Sequence, residues 1–243
     1  MFGNPNQLQS IFGNTNMQVI DLERNSVREL NEALQNQSFN ITSNNWEINN
    51  PKGNHAVAVG INAKINVKIN GSTGYYCSGM NQLANVHVHG SVGPGVCENM
   101  MSGEVIIEGD ASQYAGATGH GGLLLVKGNS SSRCGISMKG IDIVVFGNVG
   151  HMSAFMAQSG NLVILGNSGE GLGDSIYEAN VFIRGKAEHL GADCIEKEIR
   201  SKHIKILERL LDRTEANAQP EEFRRYGSAR NLYNFNVDNL KAY

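Results

Sequence analysis

The feature that most constrains this chain is a glycine that recurs every 19 residues. The ladder glycines are Gly71, Gly90, Gly109, Gly128, Gly147, Gly166 and Gly185. The residues two and four positions before each ladder glycine are all aliphatic, as at Val67 and Ile69. Alternating aliphatic residues are typical of a strand with one buried face. Each repeat is therefore predicted to contribute a short strand that ends at a glycine.

Small residues also recur three and seven positions after most ladder glycines, and the full Gly-x-x-Gly-x-x-x-Gly pattern occurs at Gly166, Gly169 and Gly173. Such residues suit tight corners, either by reaching positive φ or by letting stacked backbones approach. A leucine-rich repeat would need more leucines and an asparagine ladder, and we find neither pattern. The sequence predicts an all-β chain, a parallel β-helix of about seven 19-residue coils with helical caps at both ends.

The segments outside the repeat predict the caps. Ser26 and Glu29 form a capping-box pattern that opens a helix to about Gln35, and residues 46–48 are interpreted as a degenerate first coil. Apolar residues at helical spacing predict an amphipathic helix from about Glu196 to Arg213. We predict three parts: a tail and capping helix (1–45), the β-helix domain (46–195), and a helix with an aromatic tail (196–243).

The outward-pointing strand positions change character along the repeat. They are polar in the first coils, but the later five coils carry a stripe of apolar residues, which we call the apolar stripe. Its members three positions before the ladder glycines are Ile106, Leu125, Val144, Val163 and Phe182. A stripe of this size requires a cover. Two covers are open, the C-terminal helix of this chain or a partner subunit, and the stripe is our candidate partner surface.

Composition excludes several functions. A formal charge of −3 and a pI near 6.2 give no reason to expect nucleic acid as a partner. We find no signal peptide and no apolar run long enough to cross a membrane, so we expect a cytoplasmic protein. Four scattered cysteines, Cys77, Cys97, Cys134 and Cys194, are interpreted as reduced, partly buried thiols.

Possible chemical sites are few. His87 and His89 point the same way on one strand, and Glu108 on the neighbouring coil is expected beside His89. Two histidines and a carboxylate suit zinc, but exposed pairs of this kind usually bind no metal. The glycines at 169–173 lack the following helix that a dinucleotide site needs. We predict no catalytic residue, no bound cofactor and no metal in this chain.

Five methionines fall on the long arcs that follow the strands. They are Met100, Met101, Met138, Met152 and Met156. Filling an irregular core is one interpretation of them, and an adaptable contact surface is the other.

Several long corner segments carry a resemblance to a known family. They are residues 74–80, 93–103, 109–119, 132–140 and 150–160, together with 221–230 near the end of the chain. From about Val27 to Tyr243 the chain resembles the C subunit of N-methylglutamate synthase, a stand-alone relative of the C-terminal domain of the glutamate synthase large subunit. The glycine pattern alone is also similar to the C subunit of formylmethanofuran dehydrogenase, whereas the corner segments are more specific.

The resemblance implies a right-handed β-helix in a three-part complex. One partner would be an amidotransferase-like subunit, and the other a synthase subunit that binds FMN and an iron-sulfur cluster. The implied reaction forms N-methyl-L-glutamate and ammonia from L-glutamate and methylamine, with no catalytic residue on the β-helix. An ordinary glutamate synthase, or a formylmethanofuran-dehydrogenase-type complex, is the alternative. An enzyme that acts alone with a metal at His87 and His89 is the competing hypothesis.

Overall fold

The computed structural model describes residues 17–38 and 43–230. These ranges contain eleven strands and two α-helices. The strands are β1 Met17–Asp21, β2 Asn45–Asn49, β3 Asn66–Asn70, β4 Asn85–Val88, β5 Glu104–Ile107, β6 Leu123–Val126, β7 Lys139–Val145, β8 Ser159–Ile164, β9 Asn180–Ile183, β10 Cys194–Lys197 and β11 Arg224–Ser228. The helices are α1 Val27–Gln35 and α2 Ser201–Thr214.

The strands from β1 to β9 pair in parallel and in chain order, which confirms the predicted parallel β-helix. From β3 to β9, paired residues are 19 positions apart, as Val67 is from Val86 and Val86 from Val105; the exception is Lys139, which pairs with Ser159 before a register shift in β7. A second stack forms two residues after each ladder glycine, where single bridges join Thr73 to Val92 and so on to Ala187. The 19-residue period is thus one turn of the solenoid.

The core lies inside the coils. The aliphatic residues two and four positions before the ladder glycines are buried to 2% exposure or less and form one continuous cluster. Full burial of a Val, Leu or Ile side chain contributes about 1.5 to 3 kcal/mol to stability. Because the inward positions repeat in every coil, this cluster runs along the whole solenoid.

The N-terminal end of the solenoid is closed by α1. Ser26 begins the helix with the predicted capping box: its hydroxyl accepts from the Glu29 N–H at 3.2 Å, and the Glu29 carboxylate accepts from the Ser26 N–H at 2.7 Å. Leu30 and Leu34 are fully buried against the core. The Asn31 side chain donates to the Ala56 carbonyl at 2.8 Å, which satisfies a backbone group of the first coil.

Two features of the ends differ from the sequence-based expectations. Strand β1 lies within residues 1–45, where only a tail and a helix were predicted, and it pairs with β2. At the other end, residues 194–197 form a strand, so α2 begins at Ser201 rather than near Glu196. The residues of β11, part of the predicted helix and tail region, pair antiparallel with both β9 and β10. The three-part division of the chain stays a prediction.

The segment 221–230, which carries part of the family resemblance, supplies strand β11. Arg225 in this strand donates to the Glu198 carbonyl at 3.0 Å and to the Asn180 side chain at 3.2 Å. The antiparallel pair therefore caps the last parallel strand, whose edge would otherwise be open. Among the residues that the structure describes, neither helix is long and apolar enough to span a membrane.

Candidate functional site

The apolar stripe lies directly beneath α2. Leu125, Val144, Val163 and Phe182 are exposed by 4% or less and, with Leu123, form a second hydrophobic cluster with leucines of the helix; Ile106 is partly buried at its edge. The helix contributes Leu207, Leu210 and Leu211, and the segment after it contributes Ala218 and Phe223. Of the two covers that the sequence leaves open, the structure shows the chain's own helix. The stripe is therefore not a free surface here, and a partner would have to displace α2 to reach it.

Two ion pairs fix the helix over the stripe. The Arg209 guanidinium lies 2.9 Å from an Asp142 carboxylate oxygen, and that of Arg213 lies 2.7 Å from one of Glu104. Glu104 and Asp142 occupy the same strand position on either side of Leu123, which lies in the apolar cluster. The pairs thus flank the buried contact and set the position of α2 along the sheet.

The helix ends where the outer face of the sheet becomes polar. In the coils before β5, the equivalent outward positions hold Glu47, Lys68 and His87, which are only partly buried. Lys68 lies 3.5 Å from Glu47, and these charges need no apolar cover. The change from polar to apolar residues in the sequence therefore marks the limit of the helix contact.

The two histidines belong to an ion-pair network. His87 and His89 have ring centroids 4.2 Å apart. Glu108 accepts from Lys127 at 2.8 Å and lies 2.5 Å from His87 Nε2. The sequence placed Glu108 beside His89, but the hydrogen bond is to His87.

The pKa shifts in this network follow from burial and from the neighbouring charges. Burial, together with His87 and Lys68, lowers the pKa of His89. Burial opposes ionisation of Glu108, but hydrogen bonds from Lys127 and His87 lower its pKa. Lys127 thus supplies a positive charge to the Glu108 carboxylate, and within the described ranges no three His, Cys, Asp or Glu side chains are grouped to hold an ion.

The thiols are enclosed by the coils. Cys77, Cys97 and Cys134 are fully buried, and burial raises the pKa of each, that of Cys134 to about 11. Burial also raises the pKa of Cys194 to about 11, and Asp174 adds to the shift. A nucleophilic cysteine needs a lowered pKa and access to substrate. These cysteines are packing residues.

The glycine cluster at 169–173 forms a coil corner. Gly171 and Gly173 have positive φ, +70° and +66°, and the chain continues to strand β9 rather than into a helix. A dinucleotide site needs a helix N-terminus at this point to bind the phosphates. The geometry here is that of a repeat corner.

The methionines of the long arcs divide into two groups. Met100 and Met138 are fully buried and fill the core, whereas Met101 and Met156 are 48% and 41% exposed. The core interpretation therefore holds for Met100 and Met138, and the contact-surface interpretation stays a prediction for Met101 and Met156.

Other large side chains are exposed on the same arcs at the N-terminal end of the solenoid. Together with Met101 they form what we call the arc surface, which consists of Tyr75, Tyr76, Met80, Leu83 and Met101. Except for Met101, sequence reasoning did not single these residues out. The signal that could have found them is a lack of charge. Residues 72–103 contain one charged side chain, Glu98, whereas 18% of the residues in the chain are charged.

Comparison with known proteins gives one curated relative. No family model and no solved structure matches the chain. Protein GlxC of Rhizobium meliloti (strain 1021) is 62% identical over 228 residues, which cover 93% of this chain and 100% of that protein. Identity at this level over nearly the whole chain means a shared fold. The chain belongs to the GlxC family.

Proposed function

We propose that this chain is a non-catalytic structural subunit of a glutamate-synthase-related complex. The complex that we propose is an N-methyl-L-glutamate synthase, which converts L-glutamate and methylamine to N-methyl-L-glutamate and ammonia. In it, the solenoid would hold an amidotransferase-like subunit and a subunit with FMN and an iron-sulfur cluster in register. The corner segments on which the resemblance rests form the long arcs of this solenoid.

The observation that carries the proposal is that the reactive side chains of the coils already serve the fold. The thiols are buried with raised pKa values, and the Glu108 carboxylate beside His87 is paired with Lys127. Because these side chains are buried or ion-paired, they support a role of the chain in holding the complex together rather than in catalysis. The nearly uncharged arc surface supports the same conclusion, because charged residues are depleted at the centre of protein interfaces.

The test is reconstitution with the two partner chains. We expect the purified chain alone to form no N-methyl-L-glutamate from L-glutamate and methylamine, measured by mass spectrometry. The three chains expressed together should co-purify and form the product, and leaving this chain out should abolish assembly or reduce turnover at least about tenfold. Activity of the lone chain that is lost in His87→Ala, with stoichiometric metal, would contradict a structural role.

The same preparation separates the alternatives. Ordinary glutamate synthase activity is assayed in parallel with the methylamine reaction. If the complex shows that activity and forms no N-methyl-L-glutamate, it is an ordinary glutamate synthase. An active pair of partner chains that neither binds nor needs this chain would overturn the proposal altogether.

A further inference from the structure

The arc surface exposes large apolar side chains that the fold does not require. Tyr75, Tyr76 and Met80 are 50%, 51% and 54% exposed, Leu83 is 40% exposed and Met101 is 48% exposed. The Met101 N–H donates to the Asn81 carbonyl at 2.8 Å, so this methionine lies one coil away from Met80 and Leu83. Four of these side chains thus lie along one arc, and the fifth lies on the arc of the next coil.

Two of these residues adopt a backbone conformation that favours glycine. Tyr76 has φ of +60° and Met80 has φ of +54°. Each of the next five coils has positive φ at the same two positions, with small residues in some coils and large ones in others. The residues equivalent to Tyr76 are Gly95, Tyr114, Arg133, Met152 and Gly171, and those equivalent to Met80 are Asn99, Thr118, Ser137, Met156 and Ser175. A bulky residue in the left-handed region costs about 1 kcal/mol or more. The left-handed backbone is therefore a property of these repeat positions, and the fold accepts glycine, asparagine or serine there without requiring a large side chain.

The aromatic rings of the arc surface are held in place. His55 stacks on Tyr75 with ring centroids 4.4 Å apart and planes inclined by 10°, and the Tyr76 ring meets that of Tyr75 edge to face at 6.5 Å. The Tyr76 ring also lies so close to Gly95 that a Cβ there would be 2.7 Å from its Cδ1. Rings fixed before binding lose little entropy on contact, as is typical of interface anchors.

The missing charge indicates the kind of partner. Residues 72–103 contain no lysine or arginine, whereas surfaces that bind anionic lipid or nucleic acid carry them. A second copy of this chain is also unsuited. At about 200 Å² for each large side chain, half exposure of five residues offers roughly 500 Å², below the ~800 Å² per partner of a stable interface. The surface fits the centre of a wider contact with a larger protein.

We propose that the arc surface is the docking site for an uncharged, apolar face of another subunit of the complex. This inference rests on the proposed function and specifies which surface of the solenoid contacts the partner subunit. In it, the tyrosines and methionines insert into the partner, and the more polar positions around them form the rim.

The repeat itself supplies variants that keep the fold. In the triple variant, Tyr76→Gly, Met80→Asn and Met101→Gln copy the residues that other coils hold at the same positions, which are Gly95, Asn99 and Gln82. Met156→Asn is the matched control, because Met156 has the same position in its coil as Met80, φ of +51° and 41% exposure, but lies four coils away. Because the triple variant removes strain at two positions, its Tm should equal or exceed that of the wild type.

The measurement is co-purification of the amidotransferase-like and FMN-binding chains with each variant, together with the mass of the lone chain by light scattering. We expect the triple variant to lower partner recovery or affinity at least about tenfold, and the control to leave both unchanged, with the lone chain monomeric throughout. Wild-type recovery by the triple variant would overturn the docking site while the proposed function stands. A wild-type dimer that the variant converts to monomer would identify a second copy as the occupant. Failure of the wild-type chain to bind either partner would overturn the proposed function and this inference together.

Discussion

The ladder glycines are required by the distance between coils rather than by their own backbone angles. Gly128 donates its N–H to the Gly109 carbonyl at 3.0 Å, and the same contact joins most successive ladder glycines. A Cβ on Gly128 would lie 2.7 Å from that carbonyl oxygen and 2.4 Å from the Asp110 side chain. Of the residues in the ladder, Gly71 has positive φ, so close stacking is the general reason for glycine here.

This explanation predicts a contrast between two glycines. Gly128→Ala should lower the free energy of unfolding by about 2 to 3 kcal/mol, because backbone must move to admit the methyl group. Gly53→Ala should cost about 1 kcal/mol, because its φ of +74° is strained but no atom lies within 4 Å of the new Cβ. Urea denaturation of both variants measures the difference. Equal losses would mean that coil spacing is not the constraint.

The residues that follow the ladder glycines show that one sequence-based conclusion, the absence of an asparagine ladder, is wrong. Asn129, Asn148 and Asn167 each accept a hydrogen bond at their side-chain oxygen from the N–H of the residue 19 positions later, at 2.8 to 2.9 Å. The chain therefore does have an asparagine ladder, although it is not a leucine-rich repeat. The pattern was overlooked because Ser72, Ser91 and Asp110 take the same role in the first coils.

A buried histidine predicts a pH dependence. His203 is 3% exposed beside Phe182, and its Nδ1 accepts the N–H of Arg200 at 3.0 Å. Burial, with Arg225 and Lys202 nearby, lowers its pKa to about 4. The folded state thus keeps His203 neutral where the unfolded chain binds a proton. Its contribution to stability is complete above the ordinary pKa of about 6.5 and is lost as pH falls towards 4.

We expect the wild-type chain to lose up to about 2 kcal/mol more stability than His203→Gln between pH 7.5 and pH 5. Glutamine keeps an acceptor for the Arg200 N–H but does not titrate. Urea midpoints at both pH values give the comparison. Parallel losses in the two proteins would show that His203 is not the group responsible.

At the scale of elements, α2 and the apolar stripe form one unit. The helix has its leucines on the face towards the sheet and charged residues such as Lys205 and Glu208 exposed. Its amphipathic spacing made the helix predictable, and the stripe made a cover predictable. The contact between α2 and the apolar stripe depends on the path of the chain after β9, and the repeat pattern does not determine that path.

The unit can be opened by one substitution. Leu210→Asp places a carboxylate in the buried cluster, so we expect α2 to detach and the stripe to become exposed, with dye binding and aggregation as the readouts. Glu208→Asp, on the exposed side of the same helix, should behave as the wild type. A soluble, monomeric Leu210→Asp protein without dye binding would show that the stripe needs no cover.

At the scale of the molecule, the repeated coils could be predicted from the sequence, whereas the strands that occur only once could not. The coil length, the strand positions and the inward-facing residues recur seven times, so an accidental resemblance to the pattern is excluded. Strands β1, β10 and β11 occur once each, and the antiparallel turn at β11 depends on contacts between distant residues such as Arg225 and Asn180. The arc surface was missed for a related reason. Positive φ at Tyr76 and Met80 is imposed by hydrogen bonds between coils and not by the residue types.

A solenoid of this kind should respond to damage locally, because each coil contacts only its neighbours. Arg225→Met keeps the aliphatic stem but removes the hydrogen bonds to the Glu198 carbonyl and the Asn180 side chain. Hydrogen exchange should then become faster in β9, β10 and β11, with little change in β3 and β4 at the other end. Arg28→Met, which removes a highly exposed ion pair on α1, is the control and should change neither end. Equal loss of protection in every coil would instead mean that the solenoid opens as one cooperative body, and the C-terminal cap would then stabilise the whole chain rather than its last coils.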